Sequence, residues 1–287
     1  DFKNLSDVYM DAVLHPAIYA NKKIFMQEGW HYEMESETDP IRYNGVVYNE
    51  MKGAYSSPDD VLDRYTYTSL YPDTPYALES GGDPECIPDL TYEKFLDMHR
   101  KYYHPSNSYI YIYGNADMAE RLMWLDREYL SKYDEEDIDS RISRQDPFTR
   151  TQEVTRSYSV TEGEELEHNT YLSYNCVIKD NLDAKVYIAF QVLQYALLDS
   201  PGAPLKQALL DAHIGRDIQS TYENGIFQPY FAVIAKNADE KNKKKFIECI
   251  KNVLSGIVKN GIDRKSLLAG INYYEFRYRE ADFGQFP

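Results

Sequence analysis

Among the side chains in this sequence that could take part in chemistry, the carboxylate of Glu50 has the most informative surroundings, the stretch Gly45–Gly53 reading GVVYNEMKG. Val46, Val47, Glu50, Met51 and Ala54 recur at helical spacing, which predicts a helix from about Val46 with Glu50 on or near the face of Val46 and Val47. A carboxylate bordering an apolar face is unusual and can hold a metal or pair with a base. Taken by itself, such a residue is more often a solvated or paired surface acid.

The other reactive side chains point to little. The histidines are His15, His31, His99, His104, His168 and His213, and no two stand at the i, i+4 spacing that sets both rings on one helix face. His99 and His104 are separated by five positions, with Pro105 interrupting the helix, so each histidine reads as a surface or satisfied core residue. His31, in EGWHYE, has no role that the sequence assigns. Cys86, Cys176 and Cys249 form no C-x-x-C or other ligand spacing and read as buried thiols of a reducing compartment. The chain has no G-x-S-x-G elbow and no local cysteine-protease signature. The glycine pair in Ser80–Asp83 lacks the context of a phosphate cradle and reads as a turn, with substrate or lid contact as the alternative.

The elements that must position these residues alternate between helix and strand. Asn4–Val13 has helical spacing and is soon followed by Pro16. FMQEGWHYEME and IRYNGVV flank the turn-like SETDP and read as strand or extended arm. After the Glu50 helix, SSPDDVLDRYTYTSLYP opens a further helix that Pro72 stops, and Thr91 caps TYEKFLDMHRKYY with Phe95, Met98 and Tyr102 on one face. SYIYIYGN alternates as a strand should, and Asp117 opens the helix that follows. Residues 134–150, charged and without apolar periodicity, read as a linker between a domain at 1–133 and another at 151–287.

In the second part VTRSYSV, HNTYLSYNCVI and GIFQPYFAVIAKN predict strands, and LDAKVYIAFQVLQYALLD predicts a buried helix. LKQALLDAHIG predicts a helix closed by Gly215, and Phe246, Ile250, Val253, Leu254, Ile257 and Val258 form a core-facing stripe ended by Asn260–Gly261. Asp263 caps a last helix, expected to be cut short. The fold class is α+β.

Composition narrows the function. At 287 residues there is room for about two domains, and 43% hydrophobic content argues against disorder. A net charge of −16 argues against a nucleic-acid partner and would attract cationic ligands, with solubility alone as the alternative account of an acidic surface. No apolar run is long enough to span a membrane. The bacterial cytoplasm is the expected location, with an organelle matrix as the alternative.

Several linked stretches resemble the pitrilysin/insulinase-type zinc metallopeptidases, in their presequence-protease and falcilysin-like branch. They are Asp1–Pro16, Phe25–Glu33, Tyr43–Asp59, Ser80–Glu93 and Tyr102–Asn115, with weaker likeness over Ser200–Ile218 and Phe276–Pro287. The inverted motif H-x-x-E-H, which carries that family's general base and two zinc ligands, does not occur here. The resemblance therefore implies a piece of a longer enzyme. It would comprise two successive α/β-sandwich units of the pitrilysin-type fold, the first lacking its N-terminal part and the second truncated.

On that resemblance Glu50 is the remaining zinc ligand, and no catalytic residue lies within the chain. The implied parent is a zinc endopeptidase acting on short unstructured peptides bound by strand addition. Its partners would be those peptides and the rest of its own polypeptide, with no nucleic acid or membrane. A single carboxylate cannot complete a catalytic zinc site, so this piece is expected to be inactive and to bind no zinc tightly. A binding or scaffold module of the same fold is the alternative.

Overall fold

A computed structural model describes residues 2–164 and 166–280. In chain order its helices are α1 (Phe2–Leu14), α2 (Lys22–Glu28), α3 (Val46–Ala54), α4 (Pro58–Leu70), α5 (Tyr92–Tyr102), α6 (Met118–Glu128), α7 (Ala184–Gln194), α8 (Pro204–Asp211), α9 (Lys243–Asn260) and α10 (Arg264–Glu280). The strands are β1 (His31–Glu33), β2 (Arg42–Asn44), β3 (Thr170–Val177), β4 (Asp217–Glu223) and β5 (Tyr230–Ala238). The chain gathers into two compact units, one of residues 1–55 and 78–142, the other of 56–77 and 143–287. Residues 56–77, expected with the first domain, thus belong to the second unit.

In the first unit β1 and β2 form an antiparallel hairpin, pairing His31 with Asn44 and Glu33 with Arg42. The arm expected to be extended from Phe25 is helical to Glu28. Asn21 caps α2, its side chain accepting from the Lys23 N–H at 3.1 Å, and Phe25 is buried against Tyr92 and Phe95. Thr91 caps α5 as its sequence predicts, yet the buried residue is Leu96 and Met98 is exposed. The helix faces its neighbours one position off the expected stripe. In α6 Asp117 accepts from the Glu120 N–H at 3.0 Å, and Trp124 and Leu125 join Tyr129 in a small core.

The segment Ser108–Tyr113 departs from expectation. Its alternation is that of a strand, but no described residue supplies a ladder partner, and Tyr109, Tyr111 and Tyr113 are solvent-exposed. Alternation makes a segment able to be a strand, while pairing makes it one.

The second unit is built on the antiparallel sheet β3-β5-β4. Along β5, Val233 and Ala235 point into a core with Leu205, Leu209, Ile218, Phe246 and Ile250 from α8, β4 and α9. Tyr230, Ala232 and Ile234 point the other way and pack with Tyr67, Leu70 and Tyr71 of α4 and its end. Period-two geometry thus gives one strand two cores. Near the end of β5 the register slips by one residue, Leu172 pairing with Ala235 but Thr170 with Ala238, and Asn237 takes a left-handed φ of 51°. This bulge resets parity, so Ala238 and Ala235 reach the same core.

Other expectations need correction here. Residues 154–160 form no strand: Val154 and Val160 are exposed, so the alternation has no buried face to hold it in a sheet. The polar strand β4 carried too little apolar signal to be anticipated. The helix expected over 182–199 breaks into α7 and a π turn at Tyr195–Asp199, and its burial concentrates in Ala196, Leu197 and Leu198 while Ile188 stays exposed. Helix α8 ends at Asp211, and His213, not Gly215, takes the left-handed conformation. Gly215 serves a close approach instead, since a Cβ there would lie 2.8 Å from the Lys236 carbonyl oxygen. In α9 Phe246 and Ile250 are buried as expected and Gly261 closes the helix, but in the last turn Ile257 faces the core and the adjacent Val258 is exposed.

Cys86 and Cys176 are exposed rather than buried, one in a surface loop and one near the end of an edge strand, while Cys249 is half-buried. Asp263 caps α10, its carboxylate accepting from the Ser266 N–H at 2.7 Å. The closing stretch of the family resemblance, from 281 to 287, lies outside the described residues.

Candidate functional site

Glu50 sits on α3, a helix of nine residues held by backbone fit at one end and side-chain packing at the other. At its start Gly45 runs so close to the preceding segment that a Cβ would stand 2.2 Å from the Gly29 carbonyl oxygen and 2.8 Å from Trp30 Cα. The side chain of Asn44 accepts from the Gly45 N–H at 2.8 Å and from the Asn49 amide at 2.6 Å. Tyr48 and Met51 are buried with Ile87, and Trp30, Val47, Ala54 and Tyr55 pack around them.

Glu50 shares the side of Val46, as its spacing predicts, but that side faces solvent: Val46 is 52% exposed and Glu50 is exposed too. No hydrogen bond or ion pair joins the Glu50 side chain to another described residue. A free carboxylate on a fixed helix suits one oxygen ligand of a hard or borderline cation. It does not make a site, since among the described residues no three His, Cys, Asp or Glu side chains come together.

His15, His31, His99, His104 and His168 are engaged one by one. His31 donates from Nδ1 to the Met26 carbonyl at 2.7 Å, which leaves Nε2 with the lone pair in the neutral ring. His15 contacts Asp11 at 3.2 Å and the Tyr133 hydroxyl at 3.3 Å. His99 meets the Tyr19 hydroxyl at 2.6 Å, and burial lowers its pKa. His104 accepts from the Ser106 N–H at 3.2 Å, and His168 lies 3.0 Å from Asp239.

The Ser80–Asp83 stretch, left open between turn and substrate contact, is a turn beneath α3. The Asp83 side chain accepts from the Glu85 N–H at 2.9 Å and its carbonyl from the Ile87 N–H at 2.7 Å. A Cβ on Gly81 would lie 2.2 Å from Met51 Sδ.

Sequence reading missed a polar and aromatic ladder in the second unit, although its i, i+4 spacing was visible. Asp59, Asp63, Tyr67 and Tyr71 share one face of α4 and its end. Asp59 pairs with Lys236 at 2.7 Å, Asp63 accepts from the Tyr230 hydroxyl at 3.2 Å, and Tyr71 donates to the Gln228 carbonyl at 2.5 Å. Burial, with help from neighbouring carboxylates, pushes the Tyr67, Tyr71 and Tyr230 hydroxyls well above the ordinary tyrosine pKa. Gln145 and Gln228 exchange backbone and side-chain bonds of 2.6 and 3.2 Å, and Gln145 also binds Asp73 at 2.8 Å.

The first unit has a groove of about 780 Å³ lined by α1, the open segment Ser108–Tyr113 and α6. Leu5, Tyr9, Ile110, Ile112 and Trp124 give it an apolar wall. Within it Nε and Nη1 of Arg121 are buried and have no partner among the described residues.

Comparison with known proteins agrees with this fold. Residues 89–273 match the family described as Peptidase M16 inactive domain. Over the whole chain, identity is 50% to Protein HypA of Clostridium perfringens, covering 30% of that protein. It is 37% to Presequence protease 1, chloroplastic/mitochondrial, of Arabidopsis thaliana, covering 27% of that protein. A solved protease from Helicobacter pylori superposes with a TM-score of 0.60 at 17% identity, over 82% of this chain and 56% of that one, a likeness of fold alone. The chain thus spans under a third of the curated relatives' length, and from its matched residues and α+β architecture it belongs to the pitrilysin-type M16 peptidase family.

Proposed function

We propose that the chain is part of a zinc-dependent endopeptidase that degrades short unfolded peptides, and that Glu50 is one of its metal ligands. The observation that carries this reading is the free, outward carboxylate of Glu50 on a closely held helix, within a chain 37% identical along its whole length to a presequence protease. Residues 1–133, apart from 56–77 that pack with the second unit, form the later part of the metal-site domain, 134–150 a connection, and 151–287 a second, non-catalytic domain. The family model described as inactive matches residues 89–273, which run from the first unit into the second, and Glu50 lies outside them.

The other two ligands and the general base belong to an H-x-x-E-H segment elsewhere in the longer polypeptide. When bound, zinc would polarise the scissile carbonyl and lower the pKa of a water. The chain's own part is to hold one carboxylate oxygen at the metal. Residues 1–287 alone bind no zinc tightly and cleave nothing. Substrates are unstructured peptides taken up by strand addition. The rest of the polypeptide covers the apolar groove of the first unit, pairing with Ser108–Tyr113. No described helix is long and apolar enough to cross a membrane. The acidic charge disfavours nucleic acid as a partner, and the reading places the protein in the cytoplasm or, as the alternative, an organelle matrix.

The test is zinc content and peptide cleavage in the full-length protein and its Glu50→Gln variant. Loss of stoichiometric zinc together with a fall in kcat/KM of at least about 10²-fold is expected. Retention of both would remove Glu50 from the metal site and favour a binding module.

A further inference from the structure

We infer that the loop from Gly81 to Leu90 is the seat that fixes the direction of Glu50, with Gly81 and Ile87 as positioning residues. This rests on the reading of Glu50 as a metal ligand. A helix of nine residues is marginal by itself, so packing must set its rotation and tilt. Its buried side consists of Tyr48 and Met51, and Met51 adjoins Glu50 in sequence, about 100° further around the axis. Whatever holds Met51 therefore holds the bearing of Glu50.

Gly81 and Ile87 hold it. Met51 Sδ fills the space a side chain at residue 81 would need, the hypothetical Cβ lying 2.2 Å from Sδ and 3.0 Å from Cε. Ile87 is buried in the same cluster. The far end of the loop is tied back by the Trp30 indole, which donates to the Leu90 carbonyl at 2.9 Å. The backbone beside that tryptophan is the one against which Gly45 closes the first turn of α3. The helix is thus held at both ends by supports that are themselves linked. Ligand groups need placement to about half an ångström, and loss of supporting contacts typically costs 10- to 100-fold in metal affinity.

The experiment uses the full-length protein and measures zinc Kd by chelator competition. Gly81→Val and Met51→Ala should each raise Kd by about tenfold or more. The double variant, which trades bulk across the contact, should recover most of the loss. Should Gly81→Val fail to fold, Gly81→Ala takes its place in both single and double variants. Trp124→Ala, in a different core of the same unit, should lower Tm yet leave Kd within about twofold, which separates positioning from general destabilisation. The seat is overturned if Gly81 variants leave Kd unchanged while Glu50→Gln abolishes binding, or if the double variant recovers nothing. Unchanged zinc binding in Glu50→Gln would instead overturn the ligand reading, and the seat with it.

Discussion

The central sheet of the second unit is covered on both faces, whereas Ser108–Tyr113 in the first unit has strand-like alternation without a ladder partner among the described residues. β5 is paired on both sides and packs α4 on one face and α8 and α9 on the other. Ser108–Tyr113 borders an open apolar groove. Both segments read as strands, and both carry aromatic and β-branched residues. The difference teaches that order in a β segment comes from neighbours on the ladder and on the faces, not from its own residue pattern.

Hydrogen exchange on residues 1–287 gives the strongest means of breaking this contrast. Amides of Val233–Ala235 should exchange on the order of 10³-fold more slowly, relative to intrinsic rates, than those of Tyr109–Tyr113. Equal protection would show that the open segment finds a partner. Next in size, Phe246→Ala should destabilise the second unit by about 3–5 kcal/mol in urea unfolding, because it empties a core filled from several elements. A loss below about 1 kcal/mol would mean that this core is loosely packed.

The alkaline limb sharpens the contrast further. Tyr71 and Tyr230 are held neutral by burial, so their folded pKa values lie above the ordinary value of about 10. Their contribution is complete below that value and is lost as pH rises from it toward the folded value, at up to about 1.4 kcal/mol per pH unit for each group. The urea midpoint of the second unit should therefore fall between pH 9.5 and 11, values spanning roughly that tyrosine range. In Tyr71→Phe the fall should be shallower, and an unchanged slope would detach Tyr71 from the alkaline transition.

Much of the architecture was legible, and the misses share a cause. Helices carrying their own signals were found: Thr91 and Asp117 at N-caps, Gly261 at a C-cap, and the Phe246 and Ile250 stripe. Features decided at a distance were not. β4 is polar and is a strand because β5 lies beside it, and Gly215 is glycine because the Lys236 carbonyl passes close by. The face of α4 that meets β5 was spelled out at i, i+4 intervals, but nothing local named its partner. For the site, the position of Glu50 on the side of Val46 was readable from spacing. That this side faces outward was not, because Tyr48 and Met51 claim the interior through Gly81 and Ile87, thirty or more residues along the chain.

The bulge at Asn237 carries a consequence for how this part of the chain can vary. Because β5 feeds opposite cores with alternate residues, adding or deleting one residue between Tyr230 and Ala235 would exchange their contents, sending tyrosine toward α8 and α9 and small side chains toward α4. Beyond Lys236 the strand already carries its extra residue, so natural length differences can be absorbed at that end and at no interior point of the strand.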